Sequence, residues 1–343
     1  MSIIDFFSNK NILITGHSGF KGSWLSSVLN QFGANVFGLS DFSVESGYYI
    51  EAKNNFNLQE LKGDITNQKF VNKIFDNHKF HIVFHFAAQG LVSKAFEYPL
   101  ETIKTNILGT YNILESCNRN NEINTLIIAT TDKVYKNHNE NNSENFELGG
   151  NEFYSASKAS SEFLIEAFKN TRKRDNLNIG IIRAGNVLGG GDYGQNRIVT
   201  DILSSLKGGH KLSLTNPSSI RPWQYILDCI NGYLMIAEYC SNFKKDEIFN
   251  LSSNENNQVN VETLTNKLVE FWNPIKEIKV LSEKNKIFKE SDILKIDSSK
   301  AYNILNWKPE YNIDNICKSI VDYEKSKDKY KWSINHIDKF FDI

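Results

Sequence analysis

Asn11–Thr15 (NILIT) is a strand-length apolar run that leads directly into Gly16-His17-Ser18-Gly19-Phe20-Lys21-Gly22 and then a helical stretch to about Phe32. Gly33 closes that stretch as a C-cap glycine does. Strand, glycine turn and helix in this order open a βαβ unit, which restricts the fold more than any other feature of the chain. Each glycine has a physical task there. Gly16 permits the tight turn, Gly19 lets backbone N–H groups approach a diphosphate, and Gly22 lets the helix pack on the sheet. The diphosphate then lies at the positive end of the helix, so the segment predicts dinucleotide binding.

The rest of the first half continues the pattern. Strands are expected at Val36–Leu39, near Leu61–Ile65, and at Ile82–Phe86, Leu126–Ala129 and Ile179–Ile182. The last three are continuous apolar runs, as in strands buried on both faces of a parallel sheet. Between them lie helix-length segments at Gln68–Asn77, Pro99–Asn120 and Phe153–Arg174. The expected fold is therefore α/β, a Rossmann-type doubly wound parallel sheet with a smaller C-terminal α/β substrate lobe. Residues 1–183 with about 225–251 form the dinucleotide domain; 184–224 and 252–343 form the lobe. In the second half, helices are expected at Ile198–Leu206, Ile226–Tyr239, Val261–Trp272 and Ile313–Lys325, a strand at Ile248–Leu251, and irregular chain over Ser213–Trp223.

Lysine and arginine number 39 against 40 acidic groups, a formal charge of −1, which argues against a nucleic-acid binder driven by bulk electrostatics. The basic run Lys169, Arg172, Lys173 and Arg174 ends a helix, where the dipole favours cations. No run approaches a membrane span, and the N-terminus lacks the features of a signal peptide. Cys117, Cys229, Cys240 and Cys317 are widely spaced and read as reduced thiols of a cytoplasmic protein. His78, His81 and His85 lie close together but have no acidic partner, so no metal site is expected.

Tyr154-Ser155-Ala156-Ser157-Lys158 opens a helix with a tyrosine and a lysine on one face. A phenol of reference pKa near 10 is a weak base at neutral pH. A neighbouring ammonium and a cationic nicotinamide favour the phenolate, which can then take a proton from an alcohol. Leu126–Ala129 runs into Thr130-Thr131-Asp132-Lys133, so a hydroxyl, a carboxyl and an amine appear together at the ligand end of the sheet. Asp41 lies just beyond the second strand and either takes the ribose hydroxyls of a dinucleotide or starts an Asx turn with Ser40 in the strand-end slot. No Arg or Lys lies in Ser40–Val44, which favours NAD over NADP.

The GxxGxxG spacing together with Tyr154 and Lys158 resembles the extended short-chain dehydrogenase/reductase superfamily. GHSGFKGSWL (Gly16–Leu25), FHFAAQ (Phe84–Gln89), Thr105-Asn106, the Asp132-Lys133 pair, RAGNVLGGGD (Arg183–Asp192) and IRPWQ (Ile220–Gln224) further resemble the CDP-glucose 4,6-dehydratases. The resemblance covers about residues 8–310. It implies a lyase of deoxysugar biosynthesis, of the kind that serves lipopolysaccharide O-antigens, using NAD catalytically on a nucleotide-sugar substrate. The catalytic residues implied are Thr131 on the reacting hydroxyl, Asp132 as acid for the C6 hydroxyl, Lys133 assisting removal of the C5 proton, and Tyr154 with Lys158. The cofactor set is Gly16, His17, Gly19, Phe20, Lys21, Gly22, Asp41, Asp64, Ile65, Ala87, Ala88, Tyr154 and Lys158. The substrate set is Gln89, Asn186, Arg197 and Arg221.

The stripes Ile103, Ile107, Tyr111, Leu114 and Phe163, Ile165, Phe168 are either core alone or, as the resemblance implies, part of a homodimer interface through the Pro99–Asn120 and Phe153–Arg174 helices. The chain departs from the family pattern at Gly90, Ser93 and Lys94, at Tyr193, and in the short asparagine-rich segment Lys136–Asn145. All lie near the sugar or its cover. The competing readings are a 4-epimerase or dehydrogenase of the same superfamily, a dehydratase on another nucleotide sugar, and a dinucleotide-sensing regulator. The complete Thr131, Tyr154, Lys158 set argues against the last.

Overall fold

A computed structural model describes residues 2–137, 140–194, 196–209, 211–214, 216–253, 257–273, 280–282 and 293–343. Its centre is a seven-stranded parallel sheet of β1 (Asn11–Thr15), β2 (Asn35–Ser40), β3 (Leu58–Lys62), β4 (Ile82–His85), β5 (Thr125–Ala129), β6 (Asn178–Ala184) and β7 (Glu247–Leu251), in the spatial order 3-2-1-4-5-6-7. Strand alternation divides the apolar residues between two cores. Ile12, Ile14, Phe84, Ile127 and Ile182 face one, with the Phe20–Gln31 and Ile226–Phe243 helices. Leu13, Val83, Leu126, Ile128 and Ile181 face the other, with Gln68–Asn77, Gly109–Arg119 and Phe153–Thr171. Each such side chain contributes about 1.5–3 kcal/mol on burial.

Register places Thr15 opposite His85, His85 opposite Ile128 and Ala129 opposite Ile182. The glycine turn and the segments after residues 85, 129 and 184 therefore open at the same sheet edge. Strand order reverses between β1 and β4, where open parallel sheets form their ligand crevice.

The third strand is Leu58–Lys62 rather than Leu61–Ile65. It is an edge strand with exposed Gln59 and Glu60, so it lacks the apolar run that marks the inner strands. Residues Ser213–Trp223, expected to be irregular, contain the strand Ile220–Pro222, antiparallel to Gln258–Asn260, and overlap Leu212–Leu214, parallel to Val280–Ser282. Three-residue strands carry no readable period. The Phe153 helix ends at Thr171, and Arg172 is already extended. The Pro99 helix runs to Arg119 with a π-helical turn at Lys104–Leu108. The final helix, Lys329–Phe341, lay within the range assigned to the substrate lobe, but it packs on Phe20–Gln31 and Tyr48–Ala52 of the dinucleotide half.

The basic run at the Phe153 helix end is used within the fold. Arg172 pairs with Asp246 at 2.7 Å, Lys169 with Glu166 at 2.8 Å, and Arg174 donates to the carbonyls of Cys117, Asn120 and Ile123. His78 bonds the Ile74 carbonyl, and His81 Nδ1 accepts from the Asn11 amide. His85 lies between Thr15 and Thr110. No helix among the described residues is long and apolar enough to cross a membrane.

Candidate active site

Gly16 has φ +74°, and a Cβ there would lie 2.7 Å from the Ala87 amide nitrogen. A Cβ on Gly22 would lie 2.2 Å from the Gly16 carbonyl oxygen. Both positions therefore exclude any other residue, Gly16 by conformation and contact, Gly22 by contact alone. Gly19 is the N-cap of the Phe20–Gln31 helix and brings no side chain to cap it. The first-turn N–H groups of Phe20, Lys21 and Gly22 are thus left to whatever lies at the turn. The Ala87 amide is held by Thr15 Oγ1 at 3.2 Å, and Ala88 is next in the chain, half-buried.

Other expected cofactor contacts fall differently. His17 is fully buried, edge-on to Phe42 and Tyr49, over Gly38 and 3.5 Å from Glu60 Oε1, so its ring supports the turn from within. Burial holds its pKa below the ordinary histidine value, against the opposing pull of Glu60. Asp41 takes the Asx-turn alternative. Its Oδ1 accepts from the Ser43 amide and hydroxyl, while Ser40 ends β2 and bonds Ser18 at 2.6 Å. Asp64 makes the equivalent bonds to Thr66, and the Ile65 carbonyl accepts from Asn112.

Glu152 caps the Phe153–Thr171 helix through the Tyr154 and Ser155 amides, which fixes the first turn where Tyr154 stands. Lys158 is buried and donates to the Ala129 carbonyl at 2.9 Å, tying the helix to the end of β5. Burial first, then the charge of Lys21, brings its pKa down to about 8, with Glu162 opposing. Burial raises the Tyr154 phenol, while the Lys133 charge, a Thr131 hydrogen bond and Arg197 pull it down and Asp132 pushes it up. Thr131, Asp132, Lys133 and Arg197 therefore all act on the Tyr154 phenol.

Thr131 Oγ1 donates to Asp132 Oδ1 at 3.0 Å, and Lys133 Nζ lies 3.5 Å from that oxygen. Asp132 is 2% exposed, and its Oδ2 is buried with no hydrogen-bond partner. An acceptor held dry in this way awaits a donor or a proton. The arrangement can move one proton at Tyr154 and a second at Asp132 on the same bound molecule.

Among the residues expected at the substrate, Asn186 keeps a buried Oδ1 without a partner while its carbonyl accepts from the Gln224 amide. Arg197 pairs with Asp192 at 2.7 Å. Arg221 is buried in the Ile220–Pro222 strand, with Nη1 on the Ile220 carbonyl. Gln89 is a correction. Its Oε1 accepts from the Leu91 amide and its Nε2 donates to the Leu91 carbonyl and Thr102, so the amide closes its own loop.

Sequence reasoning missed the role of Asn106 in the π-helical turn. Its side chain bonds both backbone groups of Gln89 and the Ser157 hydroxyl, joining the β4 end to the Tyr154 helix. It missed Glu162 as well, although the four-residue step from Lys158 was available as a signal.

Residues 13–320 match the family described as GDP-mannose 4,6 dehydratase. The CDP-glucose 4,6-dehydratase of Salmonella typhimurium is 34% identical over 334 residues, covering 94% of this chain and 92% of that protein. The structure of a UDP-glucose 4-epimerase from Thermotoga maritima with UDP-glucose superposes with a TM-score of 0.79 at 24% identity, covering 92% of this chain and 98% of that one. A dTDP-glucose 4,6-dehydratase from Bacillus anthracis in complex with NAD superposes with a TM-score of 0.76 at 21% identity, covering 94% and 99%.

Proposed function

The chain belongs to the GDP-mannose 4,6-dehydratase family, and from that premise we propose that it removes water from a nucleotide-activated hexose, with CDP-D-glucose as substrate and the 4-keto-6-deoxy sugar nucleotide as product. One observation carries this reading. A buried carboxylate oxygen without a partner, Asp132 Oδ2, stands in the turn that also carries Thr131 and Lys133, and it supports a second acid beside the Tyr154 phenol. Epimerisation at C4 needs the tyrosine and lysine but no second acid beside them.

Tyr154 accepts the proton of the C4 hydroxyl, with Thr131 beside that hydroxyl. The ammonium of Lys158 lowers the cost of the phenolate and holds the helix on β5. Once C4 is a ketone the C5 proton is acidic. Lys133 assists its removal and returns a proton to C5 once C6 has been reduced, and Asp132 gives its proton to the departing C6 hydroxyl, which leaves as water. Lys133 needs a depressed pKa or an intervening water to act as a base. Asn186, Arg197 and Arg221 hold the nucleotide diphosphate, the arginines through charge-assisted hydrogen bonds.

NAD, when bound, supplies a reversible hydride acceptor that takes hydrogen from C4 and returns it at C6, so it is not consumed. The residues fit such a group. The Gly16 and Gly22 positions leave no room for side chains, and the helix after Gly19 has no side-chain cap. Gly16, Gly19, Phe20, Lys21 and Gly22 would hold its diphosphate, Asp64 and Ile65 its adenine end, and Ala87, Ala88, Tyr154 and Lys158 its nicotinamide end.

Leu100, Ile103, Leu108, Tyr111 and Phe163 present an exposed apolar face on the Pro99 and Phe153 helices and support a homodimer. Four buried free thiols support a reducing, cytoplasmic setting, and the product suits deoxysugar assembly such as that of O-antigens.

Purified protein with NAD and a panel of CDP-, dTDP-, GDP- and UDP-hexoses tests the reading. CDP-glucose should give the alkali-shifted ketone absorbance and a product lighter by one water. Tyr154→Phe should lower turnover by about 10²- to 10⁴-fold. A product of unchanged mass, or a Tyr154→Phe variant as active as wild type, contradicts it.

A further inference from the structure

Beneath the Thr131–Lys133 turn lies a buried ion pair that the chemistry above does not use. Glu162 succeeds Tyr154 and Lys158 at four-residue steps on one helix face, and Arg183 stands near the end of β6. Their side chains are 2% and 3% exposed. The guanidinium forks onto the carboxylate, with Nη2 2.6 Å from Oε2 and Nε 3.1 and 3.0 Å from Oε1 and Oε2. Contacts from two guanidinium nitrogens to both carboxylate oxygens fix orientation as well as distance.

The pair grips the turn from both sides. On the near side, Thr130 Oγ1 donates to Glu162 Oε1 at 2.7 Å. On the far side, Arg183 Nη1 donates to the Tyr135 hydroxyl at 2.9 Å, and that hydroxyl donates to Asn250 Oδ1 at 2.6 Å. The Tyr135 ring lies 4.8 Å from the guanidinium carbon. Thr131, Asp132 and Lys133 thus sit between two residues clamped to one pair, and half of that pair belongs to the helix carrying Tyr154 and Lys158.

We propose that Glu162 and Arg183, acting through Thr130 and Tyr135, are positioning residues that hold Asp132 and Lys133 in register with Tyr154, so that loss of water follows oxidation at C4. The proposal rests on the dehydratase reading. Its physical content is that the acid and the phenol come from different elements, and a displacement of about 1 Å between them costs up to about a hundredfold in rate. None of the four residues needs to touch the sugar. A pair that served only as core glue would lower the melting temperature and slow both half-reactions together. A positioning pair slows elimination more than oxidation, so a 4-ketohexose nucleotide that still carries its C6 oxygen accumulates.

Removing Glu162 would leave Arg183 buried and unpaired, so the test acts one bond away. Thr130→Val, Thr130→Ser and Tyr135→Phe are compared with wild type in the full-length protein with NAD and CDP-glucose. The measurements are melting temperature, kcat, KM and the mass of the nucleotide sugar in acid-quenched turnover. Thr130→Val and Tyr135→Phe should lose about ten- to a hundredfold in kcat at near wild-type KM, with the undehydrated ketone enriched. Thr130→Ser, which keeps the hydroxyl, should restore the wild-type ratio. If Thr130→Val fails to fold, Tyr135→Phe, which keeps the ion pair whole, decides. A wild-type ratio of the two ketones in the folded variants overturns the proposal alone. No ketone from the wild-type chain overturns the dehydratase reading and this proposal with it.

Discussion

His85 shows how a single side chain can be confined to one state. Thr110 Oγ1 donates to the Asn106 carbonyl at 2.6 Å, so it accepts from His85 Nε2 at 3.1 Å, and Nδ1 is left to accept from Thr15 Oγ1 at 2.7 Å. The neutral imidazole links the glycine strand to the π-helical turn. Burial first, then the charge of Lys158, lowers its pKa to about 3. An unfolded histidine titrates near 6.5. Between these values the unfolded chain binds a proton that the folded chain refuses, so stability rises with pH across this window and is lost on acidification. The slope from this one residue is at most about 1.4 kcal/mol per pH unit. Urea unfolding at several pH values through the window should show a steeper loss for wild type than for His85→Gln, and equal slopes would contradict the assignment. The glycine turn and the Tyr154–Lys158 pair were legible in the sequence because their spacing lies within two helical turns. Glu162 and Arg183 stand 21 residues apart on different elements, so no local pattern joins them. Gln89 read as a crevice residue because nothing in FHFAAQ shows that its amide turns back onto Leu91.

At the scale of elements, the two long helices divide each stripe between core and surface. Leu114 and Ile165 take the core alternative, both fully buried against the sheet. The turn at Lys104–Leu108 is π-helical, and the extra residue rotates the Gly109–Arg119 segment relative to a regular 3.6-residue count. Leu100, Ile103, Leu108, Tyr111, Phe153 and Phe163 are left outside. Phe163, 60% exposed, and Leu100, 62% exposed, tolerate charge in an isolated chain. Leu100→Glu and Phe163→Glu should therefore convert a wild-type dimer to a monomer in sedimentation, with the far-ultraviolet spectrum unchanged. Wild-type monomers, or variants that remain dimers, would contradict that interface.

For the whole molecule, the inner strands were legible because Ile82–His85, Thr125–Ala129 and Asn178–Ala184 are buried on both faces, which only a covered parallel sheet explains. Beyond residue 184 the strand at Ile248–Leu251 was legible, but the pairings of the shorter strands were not. Strands of two or three residues have no period, and the last helix crosses back to the glycine half through contacts far apart in sequence. The architecture gathers strand ends β1, β4, β5 and β6 at one edge, where the proposed function puts an acceptor for the C4 proton and a donor for the C6 hydroxyl. The central claim is that hydrogen leaves C4 and comes back to the same sugar at C6. CDP-glucose carrying deuterium at C4, turned over with unlabelled NAD, measures this directly. The account predicts deuterium in the C6 methyl of the product with no net change in cofactor. Deuterium retained at C4, or found in the cofactor in proportion to product, would contradict it.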